Sequence, residues 1–263
     1  NKIDSILPHI NKWKSNSPND PEMYIAFFHY YLLISKEDNL VIEKEPSEGD
    51  NLSISDPKTN EPIAYMHSGI IYNDSLFNLS QNNISEGISK HPKRLDMYFG
   101  KIYHLKEKGE YKKFIIEIHK TIEKNRTYKN EWLWTNNIAI DDPNQVFTDA
   151  IYDYNISLFN AKDNYSDDIE EISLKMLIDY PDEVKFISSI SICKLQEEEY
   201  TEALTYLKRA YIIAPTDPII INNMVAAYTG LDDDKNTKKY LNELIKYGSQ
   251  EDIKYAKESL EKL

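Results

Sequence analysis

The run DDDKNTKKYLNE, residues 232 to 243, has acids at its first and third places, Asn at the fifth and Glu at the twelfth. Those are places from which a twelve-residue loop offers oxygens to calcium. The glycine such a loop needs at its sixth place is Thr237 here, and Lys238 and Lys239 would repel the ion. The run therefore reads as the turn before a helix, with acids near the helix's positive end. The EEE at 197–199, about 34 residues earlier, reads as the same kind of turn. Among the six histidines, His104 and His119 come closest to a pair, and they read as packed or solvent-facing rather than metal-binding. The single cysteine, Cys193, lies in the apolar run FISSISICKLQ and reads as a small buried hydrophobe. There is no glycine-rich phosphate loop, G-x-S-x-G elbow or zinc-spaced cysteine set. The expectation is a non-enzyme with no catalytic residue, metal or cofactor.

Aromatic chemistry is concentrated in NEWLWTNNIAIDDPN, residues 130 to 144, where Trp132 and Trp134 stand one residue apart. With Tyr128 they could form a platform for a sugar ring or a peptide side chain. They could equally plug the core where an irregular link interrupts the helices, and the plug is the favoured reading. One ring could also face inward and the other outward. Asp141, Asp142 and Pro143 read as the start of the next helix.

The 263 residues, 41% hydrophobic with only 7 Gly, can bury a substantial core. A net charge of −13 argues against a nucleic-acid or anionic-membrane partner. No apolar run is long enough to span a membrane. The chain starts at Asn1 rather than Met. That reads as a removed export signal or a trimmed terminus, and favours a periplasmic or otherwise exported location over a cytoplasmic one.

Helical spacing and proline punctuation organise the rest. DEVKFISSISICKLQEEEYTEALTYLKRAYIIAPTDP, residues 182 to 218, predicts two amphipathic helices joined at QEEEY and stopped before Pro215. Ala203, Leu207 and Ala210 share one face of the second helix. Pro181 and Pro215 are 34 residues apart, and the period runs on toward Ser249. There Tyr228, Leu241 and Leu244 take core places, and Thr237 stands where alanine is usual. Upstream, helices are expected over SILPHINKWKSNSP, PEMYIAFFHYYLLIS, SLFNLSQNNISEGISKHP and the pair around Gly109 and Tyr111, where Phe114 replaces a small residue. FTDAIYDYNISLFNA and SDDIEEISLKMLIDYP form a further pair, and residues 250–263 form a polar-faced capping helix. Residues 40–72 fall outside the period. There NLSIS and PIAYM flank DPKTNE and predict an inserted β-hairpin. Residues 127–143 are the irregular Trp-rich link.

From Tyr200 to Pro215 the pattern Y-x-x-A-x-x-x-L-x-x-A-x-x-x-x-P resembles the tetratricopeptide repeat, a 34-residue helix–turn–helix unit. The likeness is strongest over residues 182–249, and elsewhere rests on spacing. The resemblance implies an all-α fold over 1–263, a single elongated right-handed superhelix of antiparallel helix pairs. It also implies a concave face lined by first helices. Carried over, that face is Asp96, Phe99, Tyr103 and Lys106, then Lys185, Ser188, Ile192 and Leu195, then Ile219, Asn222, Ala226 and Thr229. The expected function is a non-enzymatic scaffold that binds a protein or peptide in that groove. The alternative is a glycan-binding accessory protein using Trp132, Trp134 and neighbouring tyrosines.

Overall fold

The computed structural model describes residues 5–47 and 49–263. Among them are twelve α-helices, a small antiparallel sheet and a short β-ribbon. The described residues fall into two compact units, one of those up to 117 with 131–141 and the other of 118–130 with 142–263.

The first unit opens with α1 (Ile6–Asn16) and α2 (Pro21–Ser35), whose N-cap Asp20 accepts the Glu22 N–H at 3.0 Å. Of the expected α1 stripe, only Ile10 is buried, and Ile6 and Trp13 stay exposed. Strands β1 (Lys36–Glu43), β2 (Leu52–Ser55) and β3 (Pro62–Tyr72) follow, then α3 (Asp74–Lys90) and α4 (Leu95–Glu107). The hairpin expected around DPKTNE is β2–β3, but it belongs to a three-stranded sheet ordered β1-β3-β2. β1 leaves α2 without a loop and pairs antiparallel with β3 from Lys36↔Tyr72 to Glu43↔Tyr65. Its first four residues are polar and exposed, so no alternation announces it. The unit's core lies between α2, α3 and α4. Gly87 lets α3 approach α2, because a Cβ there would stand 2.8 Å from that of Tyr24.

α5 (Tyr111–Tyr128) crosses from the first unit into the second. The second unit continues with α6 (Pro143–Phe159), α7 (Ser166–Asp179), α8 (Val184–Gln196), α9 (Tyr200–Ile213), α10 (Pro218–Gly230), α11 (Asp234–Tyr247) and α12 (Gln250–Leu260). Three buried positions of α9, Ala203, Leu207 and Ala210, have buried counterparts 34 residues on in α11, Thr237, Leu241 and Leu244.

Two turn designs recur. At 17–20, 91–94, 180–183 and 214–217, an X-Pro turn links one helix to the next. In each, the fourth residue's N–H donates to the first residue's carbonyl, at 3.0 to 3.3 Å. The first residue sits near φ −130°, ψ 66°, because a following proline excludes the helical region. Tyr24 and Tyr98, each six past the proline, donate their hydroxyls to the Pro18 and Pro92 carbonyls. The second design closes α4, α8 and α10 with a Schellman cap: Glu110 N–H to Leu105 O, Glu199 N–H to Lys194 O, Asp233 N–H to Tyr228 O. Its left-handed residue is Gly109, Glu198 or Asp232. Asp233 then caps α11 by accepting the Asn236 N–H, so the calcium-like acids are a helix start.

Candidate functional site

The Trp-rich link folds into a ribbon of β4 (Leu133–Trp134) and β5 (Ile138–Ala139), joined by a 3₁₀ turn over Thr135–Asn137. Asn136 and Asn137 take left-handed φ values of 60° and 57°, which asparagine tolerates better than most side chains. The ribbon docks on the second X-Pro turn: Leu133 N–H donates to Lys93 O at 2.8 Å, and Arg94 bridges Leu133 in parallel. Trp132 is 2% exposed, with its ring edge-on to Tyr98 at 5.5 Å. Trp134 is 40% exposed and lies edge-on to Phe99 at 6.3 Å. One tryptophan is the plug and the other faces outward.

Arg94 ties the ribbon down. Its side chain is 1% exposed. Nε and Nη2 grip the two Asp96 oxygens at 2.9 and 2.8 Å, and Nη1 meets Glu22 Oε1 at 2.7 Å. The ribbon reaches the same carboxylates: Asn136 N–H donates to Glu22 Oε1 at 2.8 Å, and Thr135 Oγ to Asp96 Oδ2 at 3.2 Å. Burial opposes the guanidinium's charge, but the bonds to Asp96 and Glu22 outweigh it and raise its pKa. Burying these charges offsets much of what their pairing gains, so the ion set is weak evidence of net stability.

Above this floor lies a cleft of about 210 Å³, lined by Glu22, Asp96, Phe28, His29, Gly100 and Trp134. α2 supplies Glu22, Phe28 and His29, α4 supplies Asp96 and Gly100, and the ribbon supplies Trp134. Two carboxylates against one guanidinium leave the floor one negative charge in excess. Burial lowers the pKa of His29. Nearby, His104 packs against Phe28 with ring centroids 5.5 Å apart, and its pKa falls to about 4, chiefly through burial and then through Lys36 and His29.

The expected site residues divide among several settings. Phe99 is half-buried against Trp134. Tyr103 is exposed one turn further along α4, with the Lys106 ammonium 4.9 Å from its ring centroid. Lys106 also pairs with Glu107 at 3.4 Å. In the second unit Lys185 is bonded to Asp149, and Asn222 is exposed on α10. Ser188 is 9% exposed and buried with Ser189 and Ser191 on α8, so it does not present a surface. His104 and His119 do not share surroundings: His119 meets Lys175 at 3.2 Å and Glu171 at 3.8 Å. Among the described residues no three His, Cys, Asp or Glu side chains could hold a metal, and no helix is long and apolar enough to cross a membrane. Cys193 is fully buried, and burial pushes its thiol up to about 12.

Sequence reading missed Arg94, Glu22, Phe28, His29 and Gly100. One signal was present. The residue two past the turn proline is Asp20, Glu183 or Asp217 elsewhere, and Arg94 here. No protein-family model matches the chain, and no curated protein matches it either.

Proposed function

We propose that the chain is a tetratricopeptide-like repeat protein acting as a non-enzymatic scaffold, with a protein or peptide bound across the α4 surface of its first unit. The observation that carries this reading is the strip of Trp134, Phe99 and Tyr103 beside the Glu22–Asp96 cleft, held by an arginine that is itself buried. Aromatic side chains on a fixed frame provide contact area at little entropic cost, which is what groove recognition of a chain segment needs. The repeated turns and the 34-residue core period support the repeat assignment. A hydrolase using Glu22 and Asp96 is disfavoured because a guanidinium bridges the two carboxylates where a substrate bond and water would have to lie. The half-exposed Trp134 also suits a sugar ring, so glycan binding is the second reading.

The test is selection from a random peptide library against the full chain, with a glycan array in parallel, repeated on Trp134→Ala and Tyr103→Ala. Enriched peptides whose affinity falls about tenfold in either variant are expected, the effect of losing one aromatic anchor. Absence of enrichment, or binding indifferent to both variants, would reject the scaffold reading, and sugar hits lost in Trp134→Ala would replace it.

A further inference from the structure

We propose that the cleft beneath Trp134 is a subsite for an alkylammonium group, the end of a lysine side chain, so that the scaffold's ligand is a lysine-bearing peptide. This rests on the scaffold reading and adds the chemistry of the cleft. The cavity has aromatic side chains in its walls, Phe28 from α2 and Trp134 from the ribbon, and a negative floor. Aromatic faces attract a cation through the ring quadrupole, and more strongly where water is excluded.

Net charge points to a cation rather than a polyol. Glu22 Oε1 already accepts from Arg94 and Asn136. Both Asp96 oxygens accept from Arg94, and Oδ2 accepts from Thr135 as well. Among the described residues Glu22 Oε2 accepts from no donor, so an entering ammonium would find a carboxylate acceptor there. The excess negative charge remains whatever the bonding, and the guanidinium at the floor, Arg94, is already counted against the two carboxylates. The long apolar stem of a lysine suits the rest of the lining, which includes Ile25, Ile84 and Met97.

Gly100 supplies the control. A Cβ there would meet only Phe28 Cε1, at 3.7 Å, which is ordinary contact, so Gly100→Ala narrows the cleft without forcing the helices apart. Alanine also favours the helix over glycine.

The experiment is a titration of the ¹⁵N-labelled full chain, read at the Trp134 indole N–H, with Nα-acetyl-lysine methylamide. Nα-acetyl-norleucine methylamide matches its stem without the ammonium, and methyl glucoside serves as the polyol. The lysine probe is expected to give a saturable shift at least about tenfold tighter than norleucine. Gly100→Ala is expected to weaken it several-fold while unfolding at or above the wild-type temperature. Glu22→Gln is expected to weaken it about tenfold. Equal responses to lysine and norleucine, no saturable lysine response, or a response to glucoside alone would overturn the proposal. Selected peptides without lysine that still need Trp134 would leave the scaffold standing and remove this inference. A lysine response without any peptide binding would do the reverse.

Discussion

Arg94→Met tests whether one guanidinium holds the ribbon in place. Methionine keeps the stem's volume and removes three charge-assisted contacts, two to Asp96 and one to Glu22. It leaves two carboxylates with side chains 10% and 22% exposed, facing each other without a cation. Breaking a buried ion set by removing one partner costs about 3–5 kcal/mol. Asn136 and Thr135 still donate to the stranded carboxylates, and Glu22 can reach solvent, so the lower end, about 3 kcal/mol, is expected. Urea unfolding at neutral pH measures the loss. Acrylamide quenching of Trp132, in a Trp13→Phe/Trp134→Phe background, reports the ribbon: the plug should become accessible once its anchor is gone. Adding Glu22→Gln and Asp96→Asn to Arg94→Met removes the unpaired charges and should recover much of the loss. A single-variant cost under about 1 kcal/mol, or a triple variant no better than the single, would refute the account, since stranded charge is its central term.

His104 gives a pH signature. Its folded pKa, about 4, lies below the ordinary histidine value, so between these values the unfolded chain binds the extra proton. The stability it contributes is full above the unfolded value and is lost as pH falls toward 4. With its partial exposure discounted, wild type should lose about 2 kcal/mol more than His104→Phe between pH 7 and 4.5, measured by urea unfolding at each pH. Glu198→Gly relieves a left-handed residue at a Schellman cap and should stabilise by about 0.5–1 kcal/mol, read as a higher Tm. Gly109→Ala, at φ 78°, should destabilise by about 1–2 kcal/mol. Trp132→Ala should cost about 3–5 kcal/mol and Trp134→Ala under about 1, a contrast that calorimetry resolves. The Thr237 hydroxyl is buried without a hydrogen-bond partner among the described residues. Thr237→Ala, which restores the residue found 34 places earlier, should therefore be neutral to about 1 kcal/mol stabilising, and a loss above about 1 kcal/mol in urea unfolding would reveal a bonded hydroxyl.

The helices were legible where local rules act alone. X-Pro dipeptides stop α1, α3, α7 and α9 because the residue before proline must leave the helical region, and that can be read at Pro18, Pro92, Pro181 and Pro215. The 34-residue period is visible because Ala203, Leu207 and Ala210 have counterparts of similar role in Thr237, Leu241 and Leu244. β1 was not legible, since KEDN carries no alternation and its partner β3 lies beyond an intervening strand. Nor was the floor of the cleft. Glu22, Arg94 and Asn136 meet only in space, and a buried arginine is recognised by partners that no window of sequence contains. Ser188 was misplaced because repeat position alone does not say how closely two helices approach.

Arg94 stands where three equivalent turns carry an acid. An acid there meets the positive end of the next helix, and Asp20 and Asp217 also cap it directly. Arginine forfeits the cap and sets a positive charge against that end, a penalty of about 0.3–1 kcal/mol before burial is counted. Asp96, in the first turn of α4, answers the charge with both oxygens, and Glu22 answers it from α2. What the substitution gains is a cation at the junction of two helices and a ribbon, able to draw carboxylates and ribbon donors to one point. The same junction seals Trp132 inside and turns Trp134 outward over a floor with surplus negative charge. A local rule broken at one turn is thus compensated by residues far away in sequence, and that compensation is what separates this turn from the three regular ones.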